Sequence, residues 1–454
     1  MLPSITSTLR ICPQNPRYFC GADDKAVFLT GSHTWNNLID MGPKNALVSF
    51  DFPAYLDLLT QWNHNFIRLW AWDFLGTWNP KDDVLQFPWK RTGPGLALDG
   101  RPKFDLTQFA ESYFARLKER VALALAKNIY VSVMLFDSWA NFQREFPPLN
   151  RCVFALENNI NQLDILQTLD KKFLMGWCTP NFPDFLAIQK AYVEKVVRIL
   201  NEFDNVLYEI SNEPGPFSHD WQEHLTGFIR QVESTLPKKH PIGQTGGMRC
   251  SSEKLHASCA DYLATEYWPI DRNLSGYKTA HYTWGSAPDD KADRPIFLDT
   301  DHLWGIGGDA LWAWKSFTRG YNILYMDRWD DQPSGFYHHR DWEGKASQAV
   351  RRELGVMLEF SQRIDLTRSA PANHLASTHD CLAVPGKQYV AVATGGAISL
   401  ELPAGQWLLT WHNINTGQSH NPEPKKTPGP GTHEFLPPSA DPHALLLTQP
   451  DPEI

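Results

Sequence analysis

The sequence predicts an α/β fold, a (β/α)8 TIM barrel followed by a small antiparallel β-sandwich. Apolar strand-like runs alternate with amphipathic helical stretches from about residue 26 to residue 365. Strands joined by helical crossovers run parallel. Eight such runs in about 340 residues suit a closed barrel with some long loops. After roughly residue 370 the helical period is gone, and short strand-like runs alternate with Gly, Pro and Asn turns.

Each element follows from its own pattern. "AVFLTGSHTW" (26–35) reads as the first strand, "AYLDLLTQWNHN" as a helix of period near 3.6, and "FIRLWAWD" (66–73) as the second strand. The helix "FAESYFARLKERVALALAKN" leads to the strand "IYVSVMLFDSW" (129–139), and "FLAIQKAYVEKVVRILNEFDN" leads to a fourth strand at 206–213. "WQEHLTGFIRQVESTLPKKH" leads to "PIGQTGG" (241–247), followed by "YLATEYW" (262–268) and "RPIFLDTDHLWG" (294–305). "GDALWAWKSFTRG" (308–320), with Asp309 as its N-cap or a first-turn residue, precedes the eighth strand "YNILYMDRW" (321–329), and "KASQAVRRELGVMLEFSQRID" closes the series. The stretches 74–105 and 140–183 are left as long loops at one rim. "YVAVAT", "AISLEL", "QWLLTWHN" and "HALLLT" are sandwich strands, with Trp407 and Trp411 the main aromatics there. The expected division is 1–25 packing on the barrel, 26–368 the barrel, and 369–454 the sandwich.

At 454 residues the chain exceeds one ordinary domain. The net charge is −9, with no block of Lys or Arg, so neither nucleic acid nor a membrane is an expected partner. Seven scattered cysteines include no CxxC pair, which speaks against zinc and against a disulfide scaffold. The N-terminus carries no basic start with an apolar run, and no apolar stretch reaches 18 residues. The expectation is a cytoplasmic protein, although a secreted form with its signal trimmed would read the same. No cofactor and no metal are implied; oligomeric state stays open.

"NVLYEISNEP" (205–214) sets Glu209, Ser211, Asn212 and Glu213 into an otherwise apolar strand, where each is costly to bury without a partner. If the strands close into one barrel, their C-terminal ends meet in one cavity. Those ends bring His33, Trp35 and Asn36; Arg68, Trp70, Trp72 and Asp73; Asp137; and Asn212 and Glu213. The later strands add Glu266 and Tyr267, then Asp299, Asp301 and His302, and finally Asp327 and Trp329. Carboxylates and amides bind hydroxyls in pairs, and indole faces receive the C–H face of a sugar ring. A carboxylate on strand four facing one on strand seven suits glycoside hydrolysis, one protonating the departing oxygen and the other attacking or activating water.

The motif resembles the fourth strand of the (β/α)8 glycoside hydrolases of clan A. The resemblance implies Glu213 as general acid/base and Asn212 as a ligand of the sugar hydroxyl beside the reacting carbon. Arg68 in "NFIRLW" is similar to the second-strand Arg that orients the nucleophile, with Tyr267 and Trp329 at sugar-site positions. "RYFCGADDKAVFLTGSHTWNNLID" more narrowly resembles the apiosidase-like branch, whose members often append a C-terminal β-domain. Clan A strand seven normally ends in a Glu nucleophile, whereas "PIFLDTDHLWG" has none. Asp301 is the first choice for the second carboxylate and Asp299 the second, both on one face by strand alternation; Glu266 is a third. Retention is favoured and inversion stays open. Arg68 could instead neutralise Glu209 or a strand-seven aspartate inside the barrel, a job that does not exclude orienting a nucleophile. The expected function is hydrolysis of an oligosaccharide or glycoside, on a plant or microbial glycan. The competing reading is a non-catalytic carbohydrate-binding barrel that has lost the strand-seven nucleophile.

Overall fold

Eight parallel strands form the centre of the chain, seen in a computed structural model that describes residues 2–47, 49–77, 81–138, 149–168, 176–214, 217–246, 252–266, 293–299, 309–326 and 345–450. The strands are β1 (Thr30–His33), β2 (Phe66–Trp70), β3 (Tyr130–Asp137), β4 (Val206–Asn212), β5 (Ile242–Gly246), β6 (Tyr262–Glu266), β7 (Ile296–Asp299) and β8 (Asn322–Met326). Their ladder order is β1-β8-β7-β6-β5-β4-β3-β2, all parallel. Asn65 bridges the seam between β1 and β2, its backbone N–H donating to the Thr30 carbonyl (3.1 Å) and its Oδ1 accepting from the Thr30 N–H (2.9 Å). Asn37 adds a second bridge, donating to the Arg68 carbonyl (2.5 Å) and accepting from the Trp70 N–H (3.0 Å). Gly31 permits the close approach, since a Cβ there would lie 1.9 Å from the Phe66 carbonyl oxygen.

Helices α1 (Phe52–Gln61), α2 (Glu111–Ala126), α3 (Pro183–Leu200), α4 (His219–Glu233), α5 (Ser252–His256), α6 (Ala310–Thr318) and α7 (Lys345–Arg363) follow the strands. Asp51 and Asp309 cap α1 and α6 with their carboxylates, satisfying N–H groups that the helix leaves unpaired. Helix α3 buries Phe185, Gln189, Tyr192, Val193, Val196, Val197 and Leu200, the stripe that a 3.6-residue period places on one face. Among the described residues no helix is long and apolar enough to cross a membrane.

Two sequence expectations change, and one strand departs from regular alternation. The run 26–35 is not one strand: Ala26–Val27 joins a small antiparallel sheet with Arg10–Ile11 and Phe19–Cys20, and only Thr30–His33 enters the barrel. The stretch 74–105 is not simply loop, because Trp89–Leu96 and Pro102–Phe109 pair as an antiparallel hairpin and Asp82–Val84 pairs with Met41–Pro43. Strict alternation fails in β3. Ser132 reaches across the barrel interior to Tyr262, while Phe136 packs against Trp177, Tyr192 and Trp221 on the helical side. Residues four apart share a face in a regular strand, so the side chains of β3 change face between them while its register with β4 stays constant.

Beyond residue 369 the chain forms a six-stranded antiparallel sheet, from Ala370–Pro371 to His443–Thr448, and a two-stranded sheet of Ile398–Leu402 with Gly431–Phe435. Trp407 and Trp411 are buried between them with Tyr389, Leu400 and Phe435, so these indoles are core. The other side of the large sheet packs Leu382, Val390 and Leu446 against Trp314 of α6 and Leu354 and Met357 of α7.

Candidate functional site

Strand β4 ends in the residues that raise the functional question. Glu213 follows it directly, is 5% exposed, and has φ of +42°. That left-handed conformation is uncommon outside glycine, and the residue before a proline, here Pro214, prefers extended backbone. Such a conformation costs about 1–3 kcal/mol and persists where the surroundings over-determine it. Asn212, the last residue of β4, donates from Nδ2 to Asp137 Oδ1 at 3.2 Å. Asp137 ends β3 alongside Asn212 and accepts from Trp70 Nε1 through Oδ2 at 3.3 Å.

Aromatic rings back this group. Trp70 lies 5.2 Å from the His33 ring and 6.3 Å from Trp35, edge-on to the latter. Arg68 sits 5.5 Å from the Trp70 ring centre. His33, Trp35 and Trp70 are all buried. Asn36, partly buried, accepts from the Thr34 hydroxyl.

One layer deeper, Arg68 Nε donates to Glu209 Oε2 at 3.0 Å. Ser132 donates to the same oxygen at 3.2 Å, and Thr245 donates to Oε1 at 2.8 Å. The Tyr262 hydroxyl, 2.9 Å from Ser132, donates to the Tyr208 carbonyl. Arg68 therefore pairs with Glu209, and the costly carboxylate in the apolar strand has its partners. Ser132, Thr245 and Tyr262 carry no sequence signal for this role, since each reads as an ordinary strand residue.

Asp73 also acts through others. Its Oδ2 accepts the backbone N–H of Asp137 at 2.9 Å, which holds the end of β3. Burial away from water pushes its carboxyl up to about 7, partly offset by that hydrogen bond.

The described residues thus bring together His33, Trp35, Arg68, Trp70, Asp137, Asn212 and Glu213. Glu266 and Asp299 end neighbouring strands, with their Cα atoms in register. Asp301, Tyr267, His302 and Trp329 lie outside the described residues, as does Asp327.

Solved structures of similar fold include a glycoside hydrolase, 11% identical, covering 98% of this chain and 97% of that chain with a TM-score of 0.59. A glycoside hydrolase family 5 protein from Bacteroides vulgatus ATCC 8482 is also 11% identical and covers 97% of this chain and 92% of its own, with a TM-score of 0.62. At this identity the likeness is one of fold: a TIM barrel with antiparallel sheets appended. No family model matches the chain, and no curated protein is significantly similar to it in sequence.

Proposed function

We propose that the chain is a glycoside hydrolase in which Glu213 is the general acid/base. The observation that carries this is the strained, buried Glu213 at the C-terminal end of β4, beside an Asn212 held by Asp137. Barrel chemistry resides at that end of the strands, and backbone strain of this kind concentrates at functional sites. The partner carboxylate is Asp301, with Asp299 the second choice. Asn212 binds the hydroxyl beside the reacting carbon, and Trp70, Tyr267 and Trp329 bound the sugar. The reaction is hydrolysis of a glycosidic bond with retention, on a plant or microbial oligosaccharide. The likeness of the N-terminal stretch to the apiosidase-like branch supports that class of substrate.

The test is turnover of a panel of aryl glycosides and plant oligosaccharides by the wild type and Glu213→Gln. Removal of a general acid lowers the rate about 10²–10⁴-fold on poor leaving groups. Equal rates overturn the assignment of Glu213. Binding without turnover by either protein favours the non-catalytic barrel. Proton NMR of the first-formed anomer then separates retention, with carboxylates about 5–5.5 Å apart, from inversion at about 6.5–9.5 Å.

A further inference from the structure

A cavity of about 980 Å³ opens at the end of the barrel remote from Glu213. Phe28 precedes β1, Asn65 precedes β2 and Tyr130 begins β3, and all three line it. Its other walls come from residues 3–7, the antiparallel segment 21–27, the end of α7 with the turn after it, and Gln388 of the C-terminal sheet. Leu9, Phe19, Phe66, Leu207, Phe297 and Leu324 plug the barrel above it. The cavity is therefore separate from the site at the other mouth.

We infer that this cavity is a second binding site, for a neutral sugar of about disaccharide size. Small-molecule sites measure roughly 300–1,000 Å³ and combine apolar walls with a few placed polar groups. Val27, Phe28 and Ile364 supply apolar wall, and Ser4, Thr6 and Gln362 supply hydroxyl and amide groups. The charged lining is balanced, with Asp23, Asp24 and Asp365 set against Lys25, Arg363 and Arg368. A balanced rim gives no net pull on an anion or a cation, yet it offers donors and acceptors to uncharged hydroxyls. Tyr130 is 9% exposed and lines the same wall, where its phenolic hydroxyl can donate to and accept from a ligand hydroxyl. This site does not depend on the catalytic reading of Glu213.

The experiment is hydrogen–deuterium exchange on the full-length Glu213→Gln chain with cellobiose, mannobiose or xylobiose at about 10 mM, some tenfold above a millimolar Kd. At least one sugar slows exchange in segments 2–8, 21–28 and 361–368. Gln362→Trp, an exposed position on α7, fills the mouth and abolishes that protection. Tyr130→Phe keeps the packed ring and weakens binding about 2–10-fold, the worth of one hydrogen bond. In chains that retain Glu213, neither substitution alters aryl-glycoside turnover. Protection confined to 205–214, no protection with any of the three sugars, or undiminished protection in Gln362→Trp each overturns the inference.

Discussion

Arg68 donates its Nε–H to Glu209 Oε2 across 3.0 Å, and both side chains are almost wholly buried inside the barrel. The pair spans β2 and β4 over the face of β3, and Ser132 and Thr245 fill further acceptor sites of the carboxylate. Breaking a buried pair by deleting one partner costs about 3–5 kcal/mol, because a desolvated charge is left behind. Glu209→Ala is expected to lower the urea unfolding free energy by that amount. A loss below about 1 kcal/mol, the range of an exposed pair, would count against a closed interior layer.

Asp73 gives the fold a pH dependence. Its folded value of about 7 lies above the ordinary 3.8, so between those values the folded state holds more protons than the unfolded one. Its contribution is complete below about pH 4 and is lost as pH rises through about 7. Asp73→Asn keeps an acceptor for the Asp137 N–H and cannot ionise. Urea midpoints at about pH 4.5 and about pH 8 should show Asp73→Asn gaining on the wild type at the higher pH. Parallel profiles would mean that Asp73 is not desolvated.

The β1–β2 seam is tight at Gly31. Gly31→Ala drives a methyl against the Phe66 carbonyl, a backbone atom that cannot swing aside, and should cost at least the 1–3 kcal/mol or so of an overpacked core. Gly227 on α4 is exposed and has nothing near the place of a Cβ. There Ala should stabilise by about 0.5–1 kcal/mol, through helix propensity and a less free unfolded chain. Thermal melts of both variants read opposite signs if the seam is as described.

Glu353 of α7 joins the barrel to the C-terminal sheet. Its Oε2 accepts from Trp314 Nε1 (2.7 Å) and lies 2.6 Å from His412 Nε2, while Oε1 accepts from Arg352 Nε (2.8 Å). Glu353→Ala strands two buried polar groups, Trp314 Nε1 and His412 Nε2, and about 1–3 kcal/mol for each unsatisfied one exceeds what most surface changes do. Calorimetry should show a marked fall in Tm; an unchanged Tm would mean that the apolar contact of Trp314, Leu354 and Leu446 holds the two parts by itself.

Much of the fold was legible in the sequence because burial pattern is a local property. The β4 run of Val206, Leu207, Tyr208 and Ile210 reads as a strand buried on both faces, and α3 shows its stripe directly. The split of 26–35 was not legible, since Phe28 and Leu29 continue the apolar run while the chain leaves one sheet for another. The turnover of β3 was equally silent. Ser132, Met134 and Phe136 look like one face, and only the packing of Phe136 among Trp177, Tyr192 and Trp221 reveals the change.

The sequence by itself determined the alternation of strands and helices, the change of texture near residue 370, and which polar side chains stand at strand ends. Periodicity and turn chemistry act over a few residues, so they survive in one dimension. Which of those side chains touch was decided by the tertiary structure. Arg68 and Glu209 are 141 residues apart in sequence, and Asn212 and Asp137 are 75 apart. Their meeting depends on strand register and on closure of the barrel at Gly31, which fix positions to within the reach of a hydrogen bond.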